Sequence, residues 1–210
     1  MRIAIISSGS IYDYEGCKER LRQVQKVICA DGGTRHAYNM GIVPDVIIGD
    51  MDSSTDEYIR YFQELKIPFI KYSRDKDKTD THICLEYALE LCDEVLLFGA
   101  TGTRLDHTLA NISILRLAAD SGKMACIIDE NNEIYVIKDT IRLEGKKGDI
   151  LSLLPISTKV EGVTLRGAHY PLLDAQMELG NPYGVSNMFE EDSIEVFISS
   201  GYLAVIKARD

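Results

Sequence analysis

The stretch IIGDMDSSTD at positions 47–56 ends an apolar run with three carboxylates, Asp50, Asp52 and Asp56. Acids this close are either solvated turn residues or neighbours that a hard cation is meant to share. The pattern recurs along the 210-residue chain. KVICA runs into Asp31, Gly32 and Gly33; PFIKY runs into SRDKDKTD, with Asp75, Asp77, Thr79 and Asp80; EVLLFG runs into ATGTRLDH, with Thr101, Arg104, Asp106 and His107. Each cluster alone has an ordinary explanation as a solvated turn, a charged loop or a tight glycine turn. Four in succession at apolar run ends do not.

The chemistry this composition suits is binding of a metal and a polyphosphate. Mg²⁺ takes oxygen ligands octahedrally, from carboxylates, water and phosphate. Asp50 and Asp52 lie one residue apart, so both reach one ion only where the chain leaves regular strand geometry. The Gly32–Gly33 pair lets backbone approach a ligand closely, ahead of a helix start that favours anions. Asp80 is expected to cap a helix. Arg104, His107, Thr108 and Asn111 recur at i, i+3, i+4 and i+7 on one helix face, where Arg104 could clamp a phosphate. The patterns G-x-x-x-x-G-K-[ST] and G-x-G-x-x-G are both absent, which excludes a P-loop enzyme and a standard dinucleotide-binding site.

These residues need elements to hold them. Strand-like runs at 2–7, 26–30, 45–49, 68–72, 94–99 and 124–129 alternate with helix-like segments at 17–25, 34–41, 54–65, 80–92 and 104–120. In the segment 80–92 the apolar stripe is Cys84, Leu85, Ala88, Leu89 and Cys92. Alternating strands and helices imply a mostly parallel, Rossmann-like sheet covered on both faces, and ligands of such sheets bind at the carboxyl ends of the strands. After residue 131 short strands follow one another with little helix between them, and Ser199–Gly201 reads as a hairpin turn between the last two. The expectation is α/β: an N-terminal parallel-sheet domain, 1–131, then a small antiparallel β-sandwich domain, 132–210.

The formal net charge of −10 argues against nucleic acid or an anionic membrane as the main partner. A small anionic ligand stays compatible, because a bound cation reverses the local sign. Cys17, Cys29, Cys84, Cys92 and Cys126 form no C-x-x-C pair and read as small buried hydrophobes of a cytoplasmic protein. No segment approaches the length of a signal peptide or membrane span. His36, His82 and His169 read as structural or solvated.

The ordered set ADGG, GDMDS, KDKTD and GATGTRLDHTLAN, followed by GVSNMF, resembles the bacterial thiamine pyrophosphokinase family over nearly the whole chain. The resemblance implies an α/β catalytic domain, a thiamine-binding β-sandwich, and a homodimer with its sites between subunits. It implies transfer of a pyrophosphoryl group from ATP to thiamine, with Mg²⁺ and release of AMP. Asp50, Asp52 and Asp80 then match the metal-binding acids, with Asp31 close by. Arg104, Asp106 and His107 match the segment near the nucleotide. ATP would meet Asp31, Gly32, Gly33, Thr79, Thr101, Arg104, His107 and Asn111. Asp50, Asp52, Asp80, Arg104 and Asp106 form the catalytic set, and Asp80 is the first candidate to accept the proton of the thiamine alcohol. Ser186 and Asn187 match a Ser-Asn pair of the thiamine pocket. Many relatives carry a Trp in this pocket and this chain has none, which leaves Met188, Phe189 or Tyr183 to supply the apolar wall. Two other readings stand beside this one: a haloacid-dehalogenase-like phosphatase using DMDSS, and a non-catalytic nucleotide or thiamine sensor.

Overall fold

The computed structural model describes residues 1–50, 56–72 and 77–209; Asp52 and Asp75 lie outside them. The chain divides into two compact units, Met1–Glu130 and Asn131–Asp210.

The first unit has six parallel strands: β1 (Arg2–Ile6), β2 (Lys26–Ala30), β3 (Val46–Gly49), β4 (Phe69–Lys71), β5 (Glu94–Phe98) and β6 (Met124–Ile128). They pair in the order β6-β5-β1-β2-β3-β4. The central strands are near-continuous apolar runs, as burial on both faces of a parallel sheet demands. Ile3 to Ile6, Ile28 to Ala30 and Val95 to Phe98 are all buried. Between the strands lie α1 (Tyr14–Leu21), α2 (Thr34–Met40), α3 (Asp56–Glu64), α4 (Asp80–Leu91), α5 (Leu105–Ile114) and α6 (Arg116–Asp120). The expected stripe on α4 is buried, from Cys84 to Cys92.

Two helices depart most from expectation. The first helix starts at Tyr14, because the Asp13 side chain accepts from the Gly16 amide and caps it there. The segment 104–120 is two helices, α5 and α6, meeting at the buried Leu115.

From β1 the chain lays β2, β3 and β4 to one side, then returns to the other side of β1 for β5. The strand order therefore reverses at β1. In open α/β sheets this switch point opens a crevice at the strands' carboxyl ends.

The second unit holds β7 (Asn132–Ile137), β8 (Thr140–Glu144), β9 (Ile150–Pro155), β10 (Lys159–Arg166), β11 (Leu172–Glu178), β12 (Asn187–Met188), β13 (Ser193–Phe197) and β14 (Leu203–Ala208). They form two antiparallel sheets, β12-β9-β14-β7 and β11-β10-β13-β8. Their inward side chains, among them Leu151, Leu153, Val163, Leu165, Phe189, Ile194, Val196, Leu203 and Val205, make one apolar core. The hairpin expected at Ser199–Gly201 is not formed. β13 and β14 belong to different sheets, and Ser199–Gly201 carries the chain across the sandwich from one to the other. Ser200 bridges there to Glu161 of β10, the strand beside β13.

Phe189 is only 1% exposed and sits under β9's end, where its amide donates to Asp149. Replacing a buried phenylalanine by alanine removes its transfer energy and leaves a cavity. Phe189→Ala should lower the urea-unfolding free energy of the second unit by about 3–5 kcal/mol, read as a lower midpoint at constant slope.

Candidate functional site

The acids gather where successive parallel strands end. Asp31 follows β2 in a single 3₁₀ turn, Asp31–Gly33. Asp50 follows β3. Asp80 opens α4. One carboxylate oxygen from each of the three lies within 4.8 Å of the others. Asp31 is wholly buried, and Asp50 and Asp80 are half-buried. Parallel pairing of β2 with β3 brings the first two together. Gly49 makes the approach possible, since a Cβ there would stand 2.5 Å from the Asp31 Cβ.

This crowding shows in Asp80. Burial, and then the charges of Asp31 and Asp50, push its carboxyl up to about 6. Three carboxylates converging at buried and half-buried strand ends are a donor set that would suit a hard divalent cation. Asp31 therefore joins the ligand candidates on the same footing as Asp50 and Asp80. The cap expected at Asp80 belongs to Thr79, whose backbone is extended and whose side-chain oxygen accepts from the His82 amide at 3.2 Å. Asp80 is the first helical residue, which leaves its carboxylate for the cluster.

Beside the acids, at the carboxyl ends of β1 and β5, lies a cavity of about 370 Å³ lined by Ser7–Ser10, Thr81, Gly99–Arg104, His107, Thr108 and Asn111. It occupies the switch point of the sheet. Its two main walls are fastened to each other by backbone: Ser7 N donates to Phe98 O (2.8 Å), Gly9 N to Gly99 O (2.7 Å) and Ser10 N to Thr101 O (2.7 Å). Gly9 is required for this fit, because a Cβ there would lie 2.1 Å from the Thr101 oxygen.

Several expected ligand residues turn out to hold the walls. The Asn111 amide donates to Ala100 O at 2.7 Å, the Thr101 hydroxyl donates to Asp129 at 3.0 Å, and the Thr108 hydroxyl accepts from Gly102 N. Arg104 lines the cavity, and its guanidinium pairs with Asp106 at the surface. That hydrogen bond from Arg104 holds the Asp106 carboxyl down at about 2. Gly32 and Gly33 lie in the turn that carries Asp31, and His107 faces the cavity.

The sequence reading passed over the loop after β1. Ser7–Ser10 is a fifth polar, glycine-containing strand end, and its Ser-Ser-Gly-Ser composition was the available signal. Thr81 was missed as well; its hydroxyl donates to the Ser7 hydroxyl at 3.0 Å and ties α4 to the end of β1.

In the second unit Ser186 adopts a left-handed backbone (φ 59°), and its amide donates to the Ser152 hydroxyl. The Asn187 side chain is fully engaged with backbone. Its oxygen accepts from Tyr170 N (3.0 Å) and Met188 N (2.8 Å), and its nitrogen donates to Tyr170 O (2.8 Å). Asn187 thus clamps the Tyr170 segment to β12. Of the apolar side chains considered for a pocket wall, Phe189 is sealed in the core, whereas Met188 and Tyr183 are exposed.

Residues 17–128 match the model of the thiamin pyrophosphokinase catalytic domain, and residues 138–203 match that of the thiamin pyrophosphokinase vitamin B1 binding domain. Thiamine pyrophosphokinase of Bacillus subtilis is 30% identical over 188 residues, covering 87% of each chain. Thiamine pyrophosphokinase 1 of Oryza sativa subsp. japonica is 27% identical, covering 87% of this chain and 79% of the relative. The crystal structure of the B. subtilis protein superposes with a TM-score of 0.88 at 28% identity, covering both chains fully. That of Geobacillus thermodenitrificans gives 0.85 at 29% identity, covering 100% of this chain and 98% of the other. With both domain models matched in order and an acidic cluster set beside a switch-point cavity, the chain belongs to the thiamin pyrophosphokinase family.

Proposed function

We propose that this protein transfers the pyrophosphoryl group of ATP to the hydroxyethyl oxygen of thiamine, with Mg²⁺, giving thiamine diphosphate and AMP. The convergence of Asp31, Asp50 and Asp80 within 4.8 Å beside the switch-point cavity carries this reading. Residues 1–131 would form the ATP- and Mg²⁺-binding catalytic domain and 132–210 the thiamine-binding domain.

In the reaction the alcohol oxygen of thiamine forms a bond to the β-phosphorus. The bond from that phosphorus to the α-phosphate oxygen breaks, AMP leaves with its electron pair, and the proton of the alcohol is released to water. Such transfers depend on positioning and charge neutralisation more than on covalent help from the protein. Asp31, Asp50 and Asp80 would hold Mg²⁺, with Asp52 as a further ligand. The ion, when bound, offsets the charge of the phosphate oxygens. The raised proton affinity of Asp80 comes from burial and from neighbours that a cation would neutralise, so Asp80 serves as a ligand rather than as the general base. The cavity walls Ser7–Ser10 and Gly99–Arg104 would receive the nucleoside end of ATP, with His107 at the rim and Arg104 exchanging Asp106 for a phosphate. Ser186, with Met188 and Tyr183, would face thiamine, and Asn187 would shape that pocket by holding Tyr170.

A cytoplasmic homodimer with sites between subunits fits two observations. Leu105 and Leu109, one turn apart on α5, are 72% and 64% exposed, a pairing that suits coverage by a second copy. The five cysteines are buried and none is in a disulfide, as in a reducing compartment. Among the described residues no helix is long and apolar enough to cross a membrane. The phosphatase reading is not favoured, because Asp50 follows the third strand of the sheet rather than the first.

Incubation with ATP, Mg²⁺ and thiamine should yield equimolar AMP and thiamine diphosphate by chromatography, and EDTA should abolish both. Free phosphate or ADP instead would sink the reading. Asp50→Asn and Asp80→Asn should each lower kcat by about 10³-fold or more with unchanged circular dichroism.

The pH dependence follows from Asp80. Its carboxyl is raised in the fold from an ordinary 3.8 to about 6, so the metal-free folded chain binds more protons than the unfolded chain between those values. Its stability therefore falls as pH rises through that window. A cation relieves the repulsion only where the acids are ionised. The Mg²⁺-induced rise in Tm should be larger at pH 7.5 than at pH 5, and Asp80→Asn should flatten that difference.

A further inference from the structure

We propose that His36 is a positioning residue for the nucleotide, holding the Gly9 peptide so that the cavity wall keeps a fixed distance from the acidic cluster. His36 lies on α2 and is 3% exposed. Its Nε2 is 2.7 Å from the Gly9 oxygen. A carbonyl oxygen can only accept, and this contact is shorter than the 3.3 Å approach of the Arg35 guanidinium to the same nitrogen, which assigns the proton to Nε2. In a neutral ring Nδ1 is then an acceptor, and the Tyr14 hydroxyl donates to it at 2.8 Å. The Tyr14 oxygen in turn accepts from the Asn39 amide at 3.4 Å.

The neutral state has a physical basis. Burial lowers the affinity of the ring for a second proton; the Gly9 carbonyl opposes this, and the Arg35 guanidinium, 3.3 Å from Nε2, adds to it. One directed chain thus runs from Asn39 through Tyr14 and His36 to Gly9. The same peptide group carries the Ser10 amide, which continues the chain to Thr101 O at 2.7 Å. The Gly9–Ser10 peptide is held on both sides, by α2 through the Gly9 oxygen and by the loop after β5 through the Ser10 nitrogen.

The same helix seats the acids. α2 follows directly on the Asp31–Gly33 turn, and the Thr34 hydroxyl donates back to Asp31 O at 2.8 Å. A single rigid element therefore sets both a metal-ligand candidate and the wall of the cavity. His36 touches neither ligand; it acts through Gly9. The inference rests on the reading of this cavity as the nucleotide site.

The test compares wild type, His36→Leu, His36→Gln and Tyr14→Phe. AMP, which needs no metal ion, is titrated calorimetrically in EDTA, and kcat and the two KM values are measured with ATP and thiamine. Loss of one hydrogen bond corresponds to a factor of about 3 to 10. His36→Leu should weaken AMP binding by about tenfold and raise the KM for ATP alike, with kcat and the KM for thiamine changed by less than about twofold. His36→Gln, which keeps a donor where Nε2 stood, should recover most of the loss. Tyr14→Phe, which leaves the Gly9 contact in place but frees the tautomer, should cost about threefold. In wild type, ¹⁵N shifts of the ring should show the Nε2-protonated neutral form at pH 7.5. Unchanged AMP affinity in Tyr14→Phe and His36→Leu, a parallel rise of both KM values, the opposite tautomer, or a wild type that binds no AMP would each overturn the inference. A wild type that binds AMP but forms no thiamine diphosphate would remove the functional reading instead, and the AMP comparison would still decide the role of His36.

Discussion

Mutual repulsion among Asp31, Asp50 and Asp80 is the constraint around which the first unit is arranged. Three carboxylates inside 4.8 Å are unfavourable in the folded chain without a cation, and something must hold them there. Parallel pairing does it. β2 and β3 are fixed in register by apolar side chains buried on both faces, so their last residues cannot drift apart. Gly49 removes the one atom that would keep Asp31 away, and Thr79 takes over the capping that would otherwise engage Asp80. Stability from the apolar sheet is set against electrostatic strain at its edge, and that strain is what the proposed cation would relieve.

The cavity beside the acids obeys the same logic by other means. Its walls come from loops, which by themselves would be mobile. Here the loop after β1 is fastened to the β5 loop by three backbone hydrogen bonds, to α2 through His36, and to the end of β6 through Glu130, whose carboxylate accepts from the Tyr12 and Asp13 amides. Side chains that sequence reasoning offers as ligands, Asn111 and Thr101, are part of this fastening. The polar residues of the site thus divide into a few that face the cavity and a larger set that keep backbone in place.

The elements of the first unit were legible because parallel strands are uninterrupted apolar runs, and the acids at their ends break those runs abruptly. The Ser7–Ser10 loop was harder to read, since serine and glycine end countless strands without meaning. His36 gave no local sign either; its role depends on Tyr14 and Gly9, which are distant in sequence and of unremarkable type. In the second unit β8 alternates cleanly, but through Arg142 and Glu144, which mask the apolar period. β11 is an edge strand whose only buried residue is Met177, so it lacks a pattern to find. The turn-like Ser199–Gly201 misled for a general reason: small polar residues permit a chain reversal, but only pairing across the sandwich decides whether the next strand returns to its neighbour or changes sheets. Asp52 lies outside the described residues, and its part in the site rests on sequence.

The placement of β14 bears on how the sandwich is made. β14 is the final strand in chain order, yet it lies between β9 and β7 rather than at an edge. Its partners are fixed across long sequence separations, with Leu203 opposite Ile137. Until β14 exists, β7 and β9 have no common neighbour, and their bonding edges stay open. During synthesis this unit must therefore wait as an incomplete sheet with exposed strand edges, while the parallel unit ahead of it can already have closed.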